Sequence, residues 1–224
     1  MRLKKFPQNA IFLGGTHSKD QIKRVLRLFD SHKQLTETLF QSYLVKKGKK
    51  KFLLAFNIYG SVITAEAVSC VHDKSVKNII FIGTCGANAE VPIGSYVLPN
   101  KVRCYDGLTN LLSPKIKYVY PNKELFRKTK RILDKESPRI ETTISVPTFF
   151  YTDKRIERIA KKYFAVEIEL SSLFYFSKKL NIKSTGILVV SDTPKTFKKM
   201  HREDLFEKRE KRILHAIRLV VRET

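Results

Sequence analysis

Cysteine is scarce in this sequence, and the few that occur are poorly placed for metal or disulfide chemistry. The three cysteines, Cys70, Cys85 and Cys104, are odd in number and widely spaced. Zinc sites and disulfide frameworks need cysteines that are close together or evenly paired. We therefore expect no disulfide framework and no metal site built on cysteine.

Long apolar runs and flexible linkers are also missing. No run approaches the roughly 20 apolar residues that a membrane-spanning helix needs. The apolar residues 10–13, behind a basic start, are too few for a signal peptide. No segment rich in proline, glycine or serine divides the chain, and no repeat occurs. We expect a single domain over residues 1–224, located in the cytoplasm and without a membrane partner.

Acidic residues are few: 21 Asp and Glu stand against 44 Lys and Arg, a net charge of +23. Such a charge favours anionic partners, and nucleic acid is one of them. The basic residues are spread along the whole chain, however, and those of residues 201–212 alternate with acids as on a solvated helix face. Nucleic acid binding is therefore kept as the lesser alternative.

Residues 163–194 are the stretch that best predicts both structure and chemistry. Apolar residues at helical spacing follow Glu167 and Glu169, and residues 185–190 form an apolar, β-branched run. An uninterrupted apolar run predicts a central strand covered by helices on both sides. The run ends at Ser191 and Asp192, so Asp192 is expected just past the carboxyl end of a strand, where ligands bind in α/β sheets.

Each of these carboxylates also has an ordinary structural explanation. Glu167 or Glu169 can stabilise the start of the helix, where negative charge suits the dipole. Asp192 can begin a turn. It is their combination on one side of a predicted sheet that makes a candidate site.

The remaining segments predict an α/β fold: a single-domain, three-layer arrangement with a central mixed sheet flanked by helices. Strands are expected at residues 10–13, 39–46, 51–56, 76–82, 91–99, 102–105 and 140–146, and helices at 62–71, 123–133 and 203–221. Residues 106–117 are predicted to be a loop. Ser18 is expected to cap a helix after the turn at Gly14 and Gly15, and such a turn can hold an anion.

In four motifs the sequence resembles the nucleoside phosphorylase-I superfamily of purine nucleoside, uridine and methylthioadenosine phosphorylases and related nucleosidases. The motifs are the GG turn after the first strand, IGTCGANAEVPIGSYVLP at residues 82–99, FFYT at 149–152, and AVEIEL followed by VVSD within 165–192. The resemblance spans almost the whole chain. It implies the three-layer phosphorylase/hydrolase-like fold.

The resemblance assigns roles at the nucleoside. Asp192 matches the acid that protonates a purine nitrogen as the glycosidic bond breaks. Glu169 matches the glutamate that binds the ribose hydroxyls, Ile168 lies beneath the sugar, and Phe150 stacks on the base. An acid at the base and a carboxylate at the sugar both lower the barrier to this cleavage. Two neighbours complete the expected nucleoside-binding set: Glu167 and Ser191.

The phosphate half of the site departs from the family pattern. Gly15, Lys19 and Thr84 are the expected phosphate-binding residues, whereas Phe81 and Gln41 stand where the family carries arginines. Replacement positive charge could come from Lys19 itself, from His17 or from residues 195–202. A hydrolase of this family usually has an early glutamate that activates water, and the first strand and loop carry none.

The resemblance therefore implies a purine nucleoside phosphorylase that releases free base and ribose 1-phosphate. It needs no metal or organic cofactor, because phosphate is the second substrate. Two alternatives stay open: a nucleosidase that uses water, and a weakened relative that binds nucleosides or nucleic acid.

Members of the family assemble as dimers or hexamers, so a homo-oligomer is also expected. The charge-poor residues 52–71 favour contact between copies. By resemblance, four apolar residues flank the site and face a partner: Phe40, Tyr43, Tyr105 and Leu108.

Overall fold

A computed structural model of the protein describes residues 6–37, 39–72, 75–148, 154–194 and 203–224. Within them the strands are β1 (Asn9–Gly14), β2 (Ser31–Glu37), β3 (Gln41–Lys47), β4 (Lys50–Ile58), β5 (Asn78–Ala87), β6 (Tyr96–Cys104), β7 (Tyr118–Val119), β8 (Arg139–Ser145), β9 (Ala165–Glu167) and β10 (Lys183–Asp192). The helices are α1 (Lys19–Leu26), α2 (Gly60–His72), α3 (Leu108–Leu112), α4 (Lys123–Ile132), α5 (Lys154–Ala160), α6 (Leu170–Lys179) and α7 (Glu203–Glu223), with a 3-10 helix at Asp134–Glu136.

The strands form one mixed sheet that partly closes on itself. β5 is parallel to both β1 and β10, and β1 is also parallel to β4. From β10 the order runs through β6, β8 and β9 back to β5, so five strands form a closed ring. On the other side of β5 the sheet is open and continues in the order β1, β4, β3 and β2. The predicted mixed central sheet is confirmed.

Helices cover both faces of this sheet, as the alternation along β1 illustrates. Ala10 and Phe12 belong to the core cluster that includes α2 and α6. Ile11 and Leu13 belong to the opposite cluster, which includes α1, α4 and α7. The predicted three-layer fold is therefore confirmed. Among the described helices, none is long and apolar enough to cross a membrane.

The central strand β10 was predicted well but is longer than expected. Its residues 184–191 are all buried, and it lies between β5 and β6. The expectation that Asp192 lies just past the strand was wrong, because Asp192 is its last residue and pairs with Gly86 of β5. Similarly, β5 does not end at residue 82 but continues through the small residues as far as Ala87.

Three other segments also differ from the expectation. Residues 106–117 contain α3 rather than only loop, because the Asp106 carboxylate accepts hydrogen bonds from the backbone N–H and hydroxyl of Thr109. Strand β2, whose residues 31–35 are exposed, was not predicted; it forms by pairing with β3. The two extended segments expected at 91–99 and 102–105 are one strand, β6, with a shift of register between Pro99 and Lys101.

Candidate active site

The turn after β1 presents backbone and side chains at the carboxyl end of the sheet. Gly15 has a φ of 89°, and its N–H donates to Ile58 O at 3.0 Å. A positive φ of this kind suits glycine, which has no Cβ. The predicted cap is confirmed, since Gln21 N donates to Ser18 Oγ at 3.3 Å and Ser18 N to Gln21 Oε1 at 2.7 Å. The two residues between, Thr16 and His17, are left facing the site.

The two glycines of this region make room for Phe81. A Cβ added at Gly14 would lie 2.2 Å from Phe81 Cζ, and one at Gly83 would lie 2.5 Å from Phe81 Cε1. The ring of Phe81 is fully buried. At a position where the resemblance expects a phosphate-binding arginine, this chain therefore has a core aromatic residue.

Asp192 lies against the backbone of β5. A Cβ at Gly86 would lie 2.8 Å from Asp192 Oδ2, so only glycine leaves the carboxyl group this space. Ser191 Oγ lies 3.0 Å from Cys85 O and 2.5 Å from Asp192 Oδ1. Its single proton serves these two acceptors, and the serine holds the carboxyl group beside the strand.

Burial raises the pKa of the Asp192 carboxyl above its usual range. The hydrogen bond from Ser191 and the positive charge of Arg209 act in the opposite direction but do not cancel the effect. Desolvation likewise lowers the pKa of Arg209, and Asp192 raises it. A half-buried acid and a half-buried cation thus face each other across the end of β10.

Two cavities meet at Asp192 and Gly86. The first, of about 260 Å³, lies between the glycine turn and α7, and its wall includes Gly15, Thr84 and Ser191. The second, of about 330 Å³, lies on the side of α5. Its wall is mainly apolar and is formed by residues such as Ala87, Asn88, Val146, Ile156, Ala160 and Val166.

α7 closes the first cavity, which the sequence did not predict. Residues 201–212 were interpreted as a solvated helix face, but Phe206, Arg209 and Ile213 line the cavity at intervals of one turn. Glu210 lies beside them and binds Arg24 of α1, with Arg24 Nε and Nη2 each 2.8 Å from Glu210 Oε1. The spacing of Phe206, Ile213 and Leu214 was the available signal, and local charge alternation obscured it.

Glu167 and Glu169 are both buried at the start of α6, but their partners differ. The Glu167 carboxylate accepts hydrogen bonds from the Ser145 hydroxyl, from Glu169 N at 2.7 Å and from Leu170 N at 2.6 Å. These donors fix the start of the helix. Glu169 accepts from Gly60 N at 3.0 Å and from Ile168 N at 3.3 Å. Tyr59, the neighbour of Gly60, lines the first cavity.

The two glutamates share a shift toward the protonated form. Burial raises the pKa of Glu167 to about 7, while its three donors favour the ionised carboxylate. Burial and the charge of Glu167 together raise the pKa of Glu169 to about 8. Because the donors gather on Glu167, they favour ionisation of Glu167 over that of Glu169.

The structure brings together only part of the predicted site. Gly15, Thr84, Ser191 and Asp192 line the first cavity. Lys19 is exposed on α1 and does not line it. Glu167, Ile168 and Glu169 line neither cavity, and Ile168 packs with the core residues of β8. Phe150 and residues 195–202 lie outside the described residues.

His17 lines the first cavity. It does not supply the positive charge for phosphate that was considered possible from the sequence. Burial lowers the pKa of its imidazole, which outweighs the hydrogen bond to the Asn57 side chain. The ring is therefore neutral near pH 7. Within the described parts of the chain, no group of three or more His, Cys, Asp or Glu could hold a metal ion.

Known proteins are similar to this chain in sequence and in fold. A purine nucleoside phosphorylase of the DeoD type from Caldanaerobacter subterraneus is 25% identical over 164 residues, which span 66% of either chain. Purine nucleoside phosphorylase from Toxoplasma gondii, solved with immucillin-H, superposes with a TM-score of 0.82 at 14% identity, covering 98% of this chain and 92% of that one. The 5'-methylthioadenosine/S-adenosyl homocysteine nucleosidase of Campylobacter jejuni gives 0.79 at 16% identity, covering 96% and 98%.

At these identities the solved structures establish the fold, while the family follows from the sequence. The profile of the phosphorylase superfamily matches residues 14–223. That range begins at the glycine turn, includes both cavities and ends in the helix that closes the first one. The chain that carries Asp192 between these two cavities belongs to the phosphorylase superfamily.

Proposed function

We propose that the protein cleaves the N-glycosidic bond of a purine nucleoside with phosphate, giving free base and ribose 1-phosphate. The family consists of enzymes that break this bond, and the DeoD-type relative supports a purine nucleoside and phosphate as substrates. The reaction leaves positive charge on the ribose and negative charge on the base. A site for it needs an acid beside the base and groups that hold sugar and phosphate.

The environment of Asp192 is the observation that carries this proposal. Its pKa is raised by burial, so a larger fraction of the carboxyl keeps its proton toward neutral pH. An acid with such a raised pKa can donate a proton to the departing base. Ser191 orients the carboxyl, and the nearby Arg209 stabilises the carboxylate that remains after donation.

The two cavities suit the two halves of the substrate. The apolar walls of the second cavity, formed by residues such as Val146 and Val166, accommodate a flat base, and Asp192 at its border faces the ring nitrogen. Phe150 is proposed as the stacking residue. The ribose then lies toward Tyr59, and Glu169, although it lines neither cavity, is proposed to reach the ribose hydroxyls beside Gly60.

Phosphate is proposed to lie in the first cavity near the glycine turn. Thr84 offers a hydroxyl there, and Gly15 allows the backbone to approach closely. Lys19, at the start of α1, adds positive charge at a helix N-terminus, which attracts anions. Neither Phe81 nor the neutral His17 contributes charge.

A nucleosidase that uses water is the second candidate, and one observation favours it. Among the described residues that line the first cavity, Arg209 is the only Lys or Arg, and it faces Asp192. A doubly charged phosphate binds weakly where so little positive charge is available. Water needs no such charge.

Base release from inosine, adenosine and methylthioadenosine, measured with and without phosphate, tests the proposal. We expect release that depends on phosphate and forms ribose 1-phosphate. If base release is equal with and without phosphate and free ribose is the product, the protein is a nucleosidase and the phosphorylase proposal is wrong. Absence of release from all three nucleosides would leave a binding protein and contradict both enzymatic proposals.

A further inference from the structure

A separate groove lies away from the two cavities, between α4 and the C-terminal end of α7. The groove is open and encloses about 730 Å³. Lys128, Arg131 and Lys135 form one wall, and Leu219 and Arg222 form the other. None of these residues lines either cavity at Asp192.

The basic residues of the first wall are not held in ion pairs. Within the described parts of the chain, Lys128, Arg131 and Lys135 form no ion pair. Glu124, four residues before Lys128, is bound to Lys183, although the charge of Lys128 also lowers the pKa of its carboxyl group. Three cations therefore stand on one side of the groove without a direct ion pair among the described residues.

The acids of the groove, in contrast, are already neutralised. Glu136 accepts from Arg212 Nη1 and from His215 Nε2, both at 2.9 Å. These contacts also tie the 3-10 helix to α7 and hold the two walls together. Glu223 is paired with Arg222 at 2.8 Å, but both side chains are exposed, and an exposed pair of this kind is easily exchanged.

The spacing of the cations matches a strand of phosphates. Lys128 and Arg131 are three residues apart on α4, so their charges lie about one helical turn apart on one face, and Lys135 follows in the 3-10 helix after α4 ends at Ile132. From Lys128 to Arg131 the helix rises about 4.5 Å at 1.5 Å per residue. Neighbouring phosphates of one nucleic acid strand, about 3.4 Å apart along the duplex axis, fall within reach of these cations.

We propose that this groove binds the phosphodiester backbone of double-stranded nucleic acid without regard to sequence. No aromatic residue lines the groove within the described residues, so it offers no ring on which an unpaired base could stack. Single-stranded binding relies on such stacking. Backbone contacts by lysine and arginine suffice for a duplex and release its counterions.

Fluorescence anisotropy with a labelled duplex tests the proposal on the full chain. Affinity should fall steeply between about 50 and 200 mM salt, and a single strand of equal length should bind more weakly. The variant Lys128→Ala/Arg131→Ala/Lys135→Ala should bind the duplex at least about tenfold more weakly at low salt. Its slope of log affinity against log salt should be smaller by about 2 to 3, since each lost phosphate contact removes about 0.9.

A variant with the same loss of charge elsewhere provides the control. Lys115→Ala/Lys117→Ala/Lys178→Ala removes three exposed lysines from the opposite side of the sheet, near α3 and α6. It should keep nearly the wild-type affinity. If both triple variants weaken binding equally, the effect belongs to the net charge of +23 and the groove is not the site.

Two further measurements separate the groove from its alternatives. The first measurement uses vesicles that contain anionic lipid. If these vesicles bind the protein and the duplex does not, the proposal is wrong and the groove is a membrane-binding surface. Base release should be unchanged in the Lys128→Ala/Arg131→Ala/Lys135→Ala variant, because the groove lies apart from Asp192. The proposal for the groove and the proposal for the enzymatic activity can thus be contradicted independently of each other.

Discussion

Gly86 and Asp192 are paired across β5 and β10 so closely that a Cβ on the glycine would lie 2.8 Å from Asp192 Oδ2. The Gly86→Ala variant should displace the carboxyl group rather than the strand, since the far end of a side chain moves more easily than backbone. We expect turnover to fall by about 10- to 100-fold with little change in Tm, because a misplaced acid donates poorly.

Gly83→Ala is the matched control on the same strand. Its Cβ would press on the buried ring of Phe81, so we expect a loss of about 1–3 kcal/mol in stability instead. Thermal unfolding and base release, measured on both variants, separate the two effects. A large drop in Tm for Gly86→Ala, with normal turnover of the folded protein, would contradict the assignment.

Asp192→Asn should lower turnover by about 10²–10⁴-fold, because an amide cannot donate the proton that the departing base needs. Nucleoside affinity should change little, since the amide keeps the shape of the carboxyl group. Isothermal calorimetry and single-turnover base release measure the two quantities. Near-normal turnover in this variant would show that another group acts as the acid.

Glu169→Ala should reduce the discrimination between ribosides and 2'-deoxyribosides. Burial and the charge of Glu167 raise the pKa of Glu169 to about 8, so the lost hydrogen bonds at pH 7 are those of a neutral carboxyl group. Each is worth about 0.5–1.5 kcal/mol, which predicts a loss of roughly 2- to 12-fold in the ratio of kcat/KM values. An unchanged ratio would restrict Glu169 to its contact with Gly60 N.

The same carboxyl group makes stability depend on pH. The pKa of Glu169 rises from 4.5 to about 8 on folding, so between these values the folded state holds a proton that the unfolded state releases. The resulting stability is fully present below about pH 4.5 and is lost as the pH rises through about 8. Glu169→Gln removes this contribution, and its Tm should fall less between pH 5 and pH 8 than that of the wild type.

Scanning fluorimetry across this pH range measures the effect. Burial also raises the pKa of Glu167, to about 7, and Glu167 is still present in the Glu169→Gln variant. The Tm of the variant should therefore still fall over this range, but less than that of the wild type. Parallel curves for the two proteins would mean that Glu169 is ionised in the folded state throughout the range.

The homo-oligomer remains a prediction, but its contact residues change. Phe40 and Tyr43 are buried within the chain, 6% and 7% exposed, and are unavailable to a partner. Leu111 of α3 and Val62 of α2 are 77% and 58% exposed, and both helices pack on α6. We expect at least a dimer at about 0.15 M salt, and Leu111→Asp/Val62→Asp should shift it toward the monomer.

Light scattering after size exclusion measures this shift. Tyr120→Asp, at a residue 59% exposed before α4, is the control and should leave the oligomer intact. A wild-type monomer at low and at high salt would remove the oligomer altogether.

The sequence was sufficient for those parts of the fold that local patterns determine. β10 and α6 were predicted because an apolar β-branched run and helical periodicity are properties of the segment itself. Likewise, Gly15, Thr84 and Asp192 could be expected together, since the parallel strands β1, β5 and β10 end at one edge of the sheet.

The remaining features depend on contacts between distant residues. Residues 31–35 of β2 are exposed, and only the pairing of β2 with β3 makes it a strand. Arg209 could not be assigned to the site, because its charge resembles that of its solvated neighbours and only the packing of α7 brings it to Asp192. The different roles of Glu167 and Glu169 follow from partners as remote as Ser145 and Gly60.

The shared wall at Gly86 and Asp192 divides the site into two compartments with separate linings. In free-energy terms, substitutions on opposite sides of such a wall have few common partners and tend to act additively. With the proposed function, selection can alter the preferred base through α5 and the nucleophile through α1 or α7, one at a time. Only the dividing pair constrains both changes at once.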